Sequence, residues 1–378
     1  MARKLTAPIL LVDTPEKNAD LRYASGFWAP DPVVFLHTPR GAFLVVSMLE
    51  QGRAMALAKQ RGRLQVVTPE ALGLQGRRRR SLGEWAAALL QREGIRRVVV
   101  PPSFPLGTTR RLESRGVRVV VAKAPLYPER ARKRPEELDK IVESQRAAVA
   151  GMRAAIRMLR AATVGPNGAL RQGRQPLTAE QVKLCIQETL LAQGTFCRDV
   201  IVAGGPLGAD PHERGHGPLR AGQPIVIDIF PQHLEHGYWG DLTRTLVKGK
   251  PSPALRKLYR TVRQAQQAAL DTVKAGVPVA RVHAAVVEAI ARAGYETRVV
   301  DGRPEGFIHS TGHGVGLDIH EAPSVAPVDG TLKAGEVITI EPGLYYPELG
   351  GIRIEDTVCV TREGHRLLAA CPHLFDVK

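Results

Sequence analysis

Two twelve-residue segments of this chain, Gly217 to Asp228 (GPLRAGQPIVID) and Gly330 to Glu341 (GTLKAGEVITIE), align without gaps and are identical at six positions. Arg220 against Lys333 and Asp228 against Glu341 are conservative matches. Each copy reads as a turn followed by a strand of alternating apolar residues that ends on a carboxylate. Downstream of each lies a second acid in a strand-like context, Asp241 in GDLTRT and Glu355 in GIRIEDT. The two matched pairs are spaced by 113 residues (228 to 341) and 114 residues (241 to 355). The duplication predicts two related half-domains whose pseudo-two-fold axis brings four carboxylates to one centre.

Four carboxylates converging in a protein interior repel one another and lose their hydration unless they are protonated or neutralised by cations. Divalent metal ions are the natural neutraliser. The imidazole that completes the set is His313, in the segment FIHSTGHGVG (307–316), whose glycines let backbone approach a crowded site. An oxygen-rich set with one imidazole suits Mn²⁺ first, with Co²⁺ or Zn²⁺ as alternatives. Two ions roughly 3.5 Å apart can share a water, make hydroxide available at neutral pH and polarise a carbonyl under attack. Amide hydrolysis needs both actions, and a carboxylate such as Glu341 can carry the proton to the departing amine. The expected metal cage is therefore Asp228, Asp241, His313, Glu341 and Glu355.

The rest of the chain is consistent with a two-domain enzyme. Its 378 residues exceed what one small core needs. From Pro8 to Ala124, short apolar runs such as Ile9 to Val12, Val33 to Leu36 and Arg97 to Val100 alternate with helical stretches such as Leu82 to Gln91, the pattern of an α/β domain. Pro135-Glu136-Glu137 follows a charged, aperiodic stretch and marks a helix start, which puts a boundary near residue 130. The first domain is then 1–130 and the catalytic domain 131–378. Beyond that boundary Leu138, Ile141, Val142, Val149, Met152, Ile156 and Leu159 fall on one helical face and read as core.

The formal charge of +16 raises nucleic acid as a partner. The excess sits in the first domain, where Arg77 to Arg80 are not interleaved with aromatic residues, so a solvated arginine-rich face is the expectation and nucleic acid is not. Cys185, Cys197, Cys359 and Cys371 show no C-x-x-C spacing, which suits a reducing, cytoplasmic location. Neither a membrane span nor a signal peptide is read from the sequence.

From about residue 137 to 378 the chain resembles the pita-bread metallopeptidase family that includes methionine aminopeptidases, aminopeptidase P and prolidase. The segments Asp241 to Thr245, His309 to Gly314 and Gly351 to Asp356 are similar to the proline-specific branch, as is an extra amino-terminal α/β domain of creatinase type. The resemblance implies that Asp241 and Glu355 bridge two metals, that Asp228 completes one, and that His313 and Glu341 complete the other. It implies a substrate-side role for His212, a pocket role for His309, a catalytic and substrate-steadying role for His320, and a positioning role for Arg353. The segment from Asp228 to Asp241 is a couple of residues longer than is usual and carries Phe230-Pro231 where Gly-Ala is common, so the pocket rim is expected to differ. His233 and His236 in that loop are expected to be exposed.

The implied activity is that of an Xaa-Pro aminopeptidase acting through a dinuclear metal centre, with prolidase, an Xaa-Pro dipeptidase, as the alternative. The partner is a peptide with proline at its second position, and the assembly a homodimer. A silent binding module of the same fold is the reading from a different class, and the five intact candidate ligands weigh against it.

Overall fold

A computed structural model describes residues 7–76 and 81–378 of the chain. The Arg77 to Arg80 run and the first six residues, on which the expectations of an arginine-rich face and of no signal peptide partly rest, lie outside the described residues. The chain divides into two compact units, Met1–Arg130 and Ala131–Lys378.

The first unit is built on a six-stranded sheet. Its strands run in the order Leu64–Val67, Gly41–Val45, Val33–Thr38, Ile9–Asp13, Arg97–Val100, Arg118–Val121. The sheet is mixed: Ile9–Asp13 pairs antiparallel with Val33–Thr38 and parallel with Arg97–Val100. Alternate residues of the central strands enter two separate cores, Leu10, Val12, Val34 and Leu36 on one face and Ile9, Leu11, Val33 and Phe35 on the other. Burial on both faces is why these strands read as unbroken apolar runs.

The second unit consists of two similar halves. In the first, the helices Pro135–Ala161 and Ala179–Leu191 pack on the strands Ile201–Gly204, Ile225–Ile229 and Leu242–Lys248 around one core. In the second, the helices Pro253–Thr272 and Val279–Arg292 pack on the sheet that contains Gly312–Gly314, Val337–Ile340 and Asp356–Val360 around another. The long first helix starts at Pro135, where the Glu137 carboxylate accepts the Arg134 N–H at 2.9 Å. It buries Ile141, Val149, Met152, Ile156 and Leu159, the stripe read from the sequence, while Leu138 and Val142 stay half-buried.

Each repeat copy supplies one antiparallel pair. Ile225–Ile229 pairs with Leu242–Lys248, with Asp228 opposite Thr243, and Val337–Ile340 pairs with Asp356–Val360, with Ile340 opposite Asp356. Equivalent positions are out of register by two residues between the copies. An even shift keeps every side chain on its face, so all four acids can still point to one side. The halves meet where the Glu355 N–H donates to the Thr243 carbonyl at 3.1 Å. No helix among the described residues is long and apolar enough to cross a membrane.

Candidate metal centre and substrate cavity

Five side chains from both halves converge where the strands meet. Asp228 comes from within its strand and Asp241 from the residue before the next one. Glu341 follows Val337–Ile340, and Glu355 lies between Gly350–Arg353 and Asp356–Val360. Asp241 and Glu355 are buried, Asp228 is half-buried, and the three bring carboxylate oxygens within 4.8 Å of one another. Asp228 Oδ1 and Glu355 Oε1 are buried without a hydrogen-bond donor. Buried acceptors left unpaired cost free energy, and a cation bound between them would remove that cost.

His313 enters from the other half, with Nε2 3.2 Å from Glu341 Oε1 and 3.6 Å from Asp241 Oδ2. Its Nδ1–H donates to the Gly314 carbonyl at 3.2 Å, which turns the Nε2 position toward the carboxylates. An imidazole lone pair among carboxylate oxygens is repelled, so this position calls for a proton or a metal ion. The neighbouring glycines are required by packing. A Cβ on Gly312 would lie 2.0 Å from the Thr339 carbonyl oxygen, and one on Gly314 2.3 Å from that of Ala322.

A shell of hydrogen bonds holds the five in place. Arg353 is buried; its Nη2 donates to Asp228 Oδ2 at 2.7 Å, its Nε to Thr243 Oγ1 at 3.3 Å, and its Nη1 to Tyr345 Oη at 3.0 Å. Thr243 Oγ1 donates to Glu355 Oε2 at 2.9 Å, and Thr339 Oγ1 to Glu341 Oε1 at 3.2 Å. Gln145 clamps the Asp241 backbone, accepting its N–H at 2.8 Å and donating to its carbonyl at 2.7 Å. Behind Glu355, the fully buried Arg244 pairs with Asp356 at 2.7 Å and donates to the Glu355 carbonyl.

The centre opens into a cavity of about 670 Å³, whose walls include His212, His309, His320, Asp228, Glu341 and Arg353. His320 stands at the exposed rim, edge-on to the His313 ring at 4.2 Å between centroids. His212 is exposed as well. His309 is half-buried and both its nitrogens are engaged: Nδ1–H donates to the Ser310 carbonyl at 2.7 Å and Nε2 accepts from Tyr345 Oη at 3.0 Å. It offers the cavity ring surface, not a hydrogen bond.

Comparison with known proteins places this geometry. The model of metallopeptidase family M24 matches residues 139–362. The chain belongs to metallopeptidase family M24. It is 42% identical over 172 residues to an Xaa-Pro dipeptidase of Pyrococcus furiosus, covering 45% of this chain and 47% of that protein. The matched regions span about half the length of the curated relatives. Among solved structures it is similar to an Xaa-Pro dipeptidase from Bacillus anthracis, with a TM-score of 0.81, 25% identity and coverage of 98% and 95%. The X-Pro aminopeptidase from Thermotoga maritima gives a TM-score of 0.81 at 24% identity, covering 98% and 97%, and shows the shared fold alone. The fold is the pita-bread arrangement preceded by an α/β unit.

M24 is a family of metal-dependent hydrolases, and membership implies divalent ions. The electrostatics of this centre favour bound positive charge. Burial, followed by repulsion from neighbouring carboxylates, pushes Asp241 and Glu355 well above the usual carboxylate range. Burial alone would also raise Glu341, but the hydrogen bond and charge of His313, helped by His309 and Arg353, pull it down to about 2. His313 is raised in turn: burial opposes its proton, and the hydrogen bond and charge of Glu341 outweigh that burial. A proton on His313 thus does part of the work of a cation.

One sequence expectation needs revision. His233 and His236 are not exposed; both are half-buried and their rings stack at 3.8 Å and 12°. Their Nδ1 atoms accept the Glu235 and Tyr238 backbone N–H groups at 3.2 Å, so they brace the long loop. With Glu143 they form a cluster of potential metal donors. Stacked rings carry their lone pairs in parallel planes, which do not converge on one ion, and nitrogens that accept at Nδ1 keep their proton on Nε2. We therefore read the cluster as loop structure. Sequence reasoning also missed Tyr345, Thr243, Gln145 and Arg244. Thr243 follows Asp241 by two residues, at the start of the strand Leu242–Lys248, and was within reach of the alternation rule; Tyr345 and Gln145 had no local signal.

Proposed function

We propose that the chain is a dinuclear metal-dependent Xaa-Pro dipeptidase, in which Asp228, Asp241, His313, Glu341 and Glu355 would hold two divalent ions. The observation that carries the reading is the set of closely spaced carboxylates with unpaired buried oxygens, opening onto a peptide-sized cavity in an M24 chain. The names of the similar proteins favour the dipeptidase over the aminopeptidase placed first from the sequence. Mn²⁺ as the ion and a homodimer as the assembly complete the proposal.

Bound ions supply Lewis acidity and a water that ionises near neutral pH. The chain's own residues do the rest. The ionised Glu341 carboxylate faces the cavity and is placed to take a proton from the attacking water and return it to the proline nitrogen, which as a tertiary amide has no N–H of its own. His320 at the rim steadies the carbonyl oxygen as charge develops, and His212 faces the substrate from the cavity wall. His309 shapes the wall; burial, helped by the positive charge of Arg353, holds its imidazole below the usual range.

Arg353 holds Asp228 and Thr243 together and so positions both ends of the cage. Arg353→Lys, which keeps the charge but loses the fork, is expected to weaken metal affinity by about 10–100-fold. Competition against a fluorescent chelator measures this, and unchanged affinity would remove Arg353 from that role.

Purified, Mn²⁺-loaded protein is expected to cleave Ala-Pro faster than Arg-Pro-Pro and to leave Met-Ala-Ser intact. Turnover of the methionine peptide alone, or of none, sinks the proline-specific reading; a preference for Arg-Pro-Pro restores the aminopeptidase.

A further inference from the structure

Two arginines line the substrate cavity, and they differ in what they have left to offer. The Arg353 guanidinium is buried and spent on Asp228, Thr243, Tyr345 and the Pro211 carbonyl. Arg214 lines the same cavity with its side chain 66% exposed, and its ion-pair partner is Asp199, Nη2 to Oδ1 at 2.8 Å. A guanidinium carries five N–H donors in a planar fork. One carboxylate oxygen orients that fork without exhausting it. Among the described residues, no lysine lines the cavity.

The backbone that carries Arg214 is fixed at both ends. Arg353 Nη1 donates to the Pro211 carbonyl at 3.2 Å, which ties the start of the loop to the residue that also holds Asp228. At the other end the Val202 N–H donates to the Arg214 carbonyl at 3.0 Å, and Lys183 Nζ to the Gly215 carbonyl at 2.7 Å. Gly215 sits at φ +74°, and a Cβ there would lie 1.8 Å from the Val202 carbonyl oxygen. The loop is thus built for close approach to the Ile201–Gly204 strand, and it fixes the backbone that carries Arg214 on the cavity wall. A pre-positioned cation binds an anion without a large ordering cost.

An Xaa-Pro dipeptide ends in a carboxylate one residue beyond the bond to be cut. Longer peptides have a neutral amide there. We propose that Arg214, oriented by Asp199, binds the C-terminal carboxylate of the dipeptide and so sets the preference for dipeptides over longer chains. The inference rests on the dipeptidase reading above and names the residue that enforces it. An exposed ion pair such as Arg214–Asp199 contributes little stability by itself, so its loss changes recognition without unfolding the chain.

The test compares kcat/KM for Ala-Pro, Ala-Pro-NH2 and Ala-Pro-Ala in Mn²⁺-loaded wild type, Arg214→Gln and Arg214→Lys. For Arg214→Gln we expect a loss of at least about tenfold on Ala-Pro, mostly in KM, and a change within about twofold on the amide. Arg214→Lys keeps the charge but not the fork and is expected to fall between. Calorimetric titration supplies a readout that needs no turnover: L-proline is expected to bind wild type and to lose at least about tenfold in affinity on Arg214→Gln, with prolinamide unaffected. An unchanged ratio of Ala-Pro to Ala-Pro-NH2 in a folded Arg214→Gln variant, or unchanged proline binding, overturns the proposal. Wild type that cleaves none of the three peptides overturns the dipeptidase reading instead, and the proline titration then decides Arg214 separately.

Discussion

Glu355→Ala is expected to lower peptidase activity by at least about 10³-fold, because Lewis-acid stabilisation by a bound ion is worth several kcal/mol of the barrier. Glu355 is 1% exposed, accepts a hydrogen bond from Thr243 on one oxygen and leaves the other unpaired toward Asp228 and Asp241. Alanine removes one of the carboxylates that would hold the ions, so metal content is expected to fall together with activity. Glu355→Gln separates charge from shape, since the amide oxygen can still accept from Thr243. In chelator this variant is expected to melt above metal-free wild type, because one of the mutually repelling buried carboxylates is gone. Metal analysis, peptide turnover and thermal melts read the three effects. A fully active, fully loaded Glu355→Ala protein would contradict the metal-holding role of Glu355.

Removal of metal is expected to cost about 4 kcal/mol relative to protein in free Mn²⁺ at 1,000 times its Kd. For a unit of this size that corresponds to a drop in Tm of roughly 10 °C. The drop should grow with pH, and the sign follows from the titrating groups. Asp241 and Glu355 have folded values raised above their ordinary 3.8 and 4.5, so the metal-free folded state holds protons that the unfolded chain has released. Stability therefore falls as pH rises above those ordinary values and continues to fall until the raised values are passed. His313, also raised from 6.5, adds a contribution present below that value and lost as pH climbs through its folded value. Glu341 acts in the opposite sense, but its window lies between 4.5 and about 2, below the range of interest. Melts from pH 5 to 8, with and without chelator, test this; a metal-free Tm that rises with pH across that range would refute it.

The duplicated segments were legible because each encodes its own strand and its own terminal acid. Alternation fixes which face is buried, and a matching pattern 113 residues later implies a matching fold. The unbroken apolar runs of the first unit announced strands buried on two faces, and Pro135 announced the long helix that begins there. The glycines around His313 were visible as well, and the structure supplies their reason in the Thr339 and Ala322 carbonyls. The His233–His236 pair was misread because exposure of a loop residue depends on how the loop folds back, here through ring stacking and two backbone N–H groups.

By itself, then, the sequence singled out the five residues proposed as the metal cage, the two-fold character of the second unit and its proline-branch resemblance. Only the tertiary structure decided how those residues are held and what the cavity presents to a substrate. Arg353 reaches Tyr345 on its own hairpin, but it reaches Pro211 across 142 positions of chain, and Gln145 reaches Asp241 across 96. The same holds for the cavity position of Arg214, set by a loop pinned to Arg353 at one end and to the Ile201–Gly204 strand at the other. Local patterns record which side of an element is apolar. Which donor meets which acceptor is settled when separate elements pack, because a hydrogen bond requires a few tenths of an ångström of agreement that no periodicity carries.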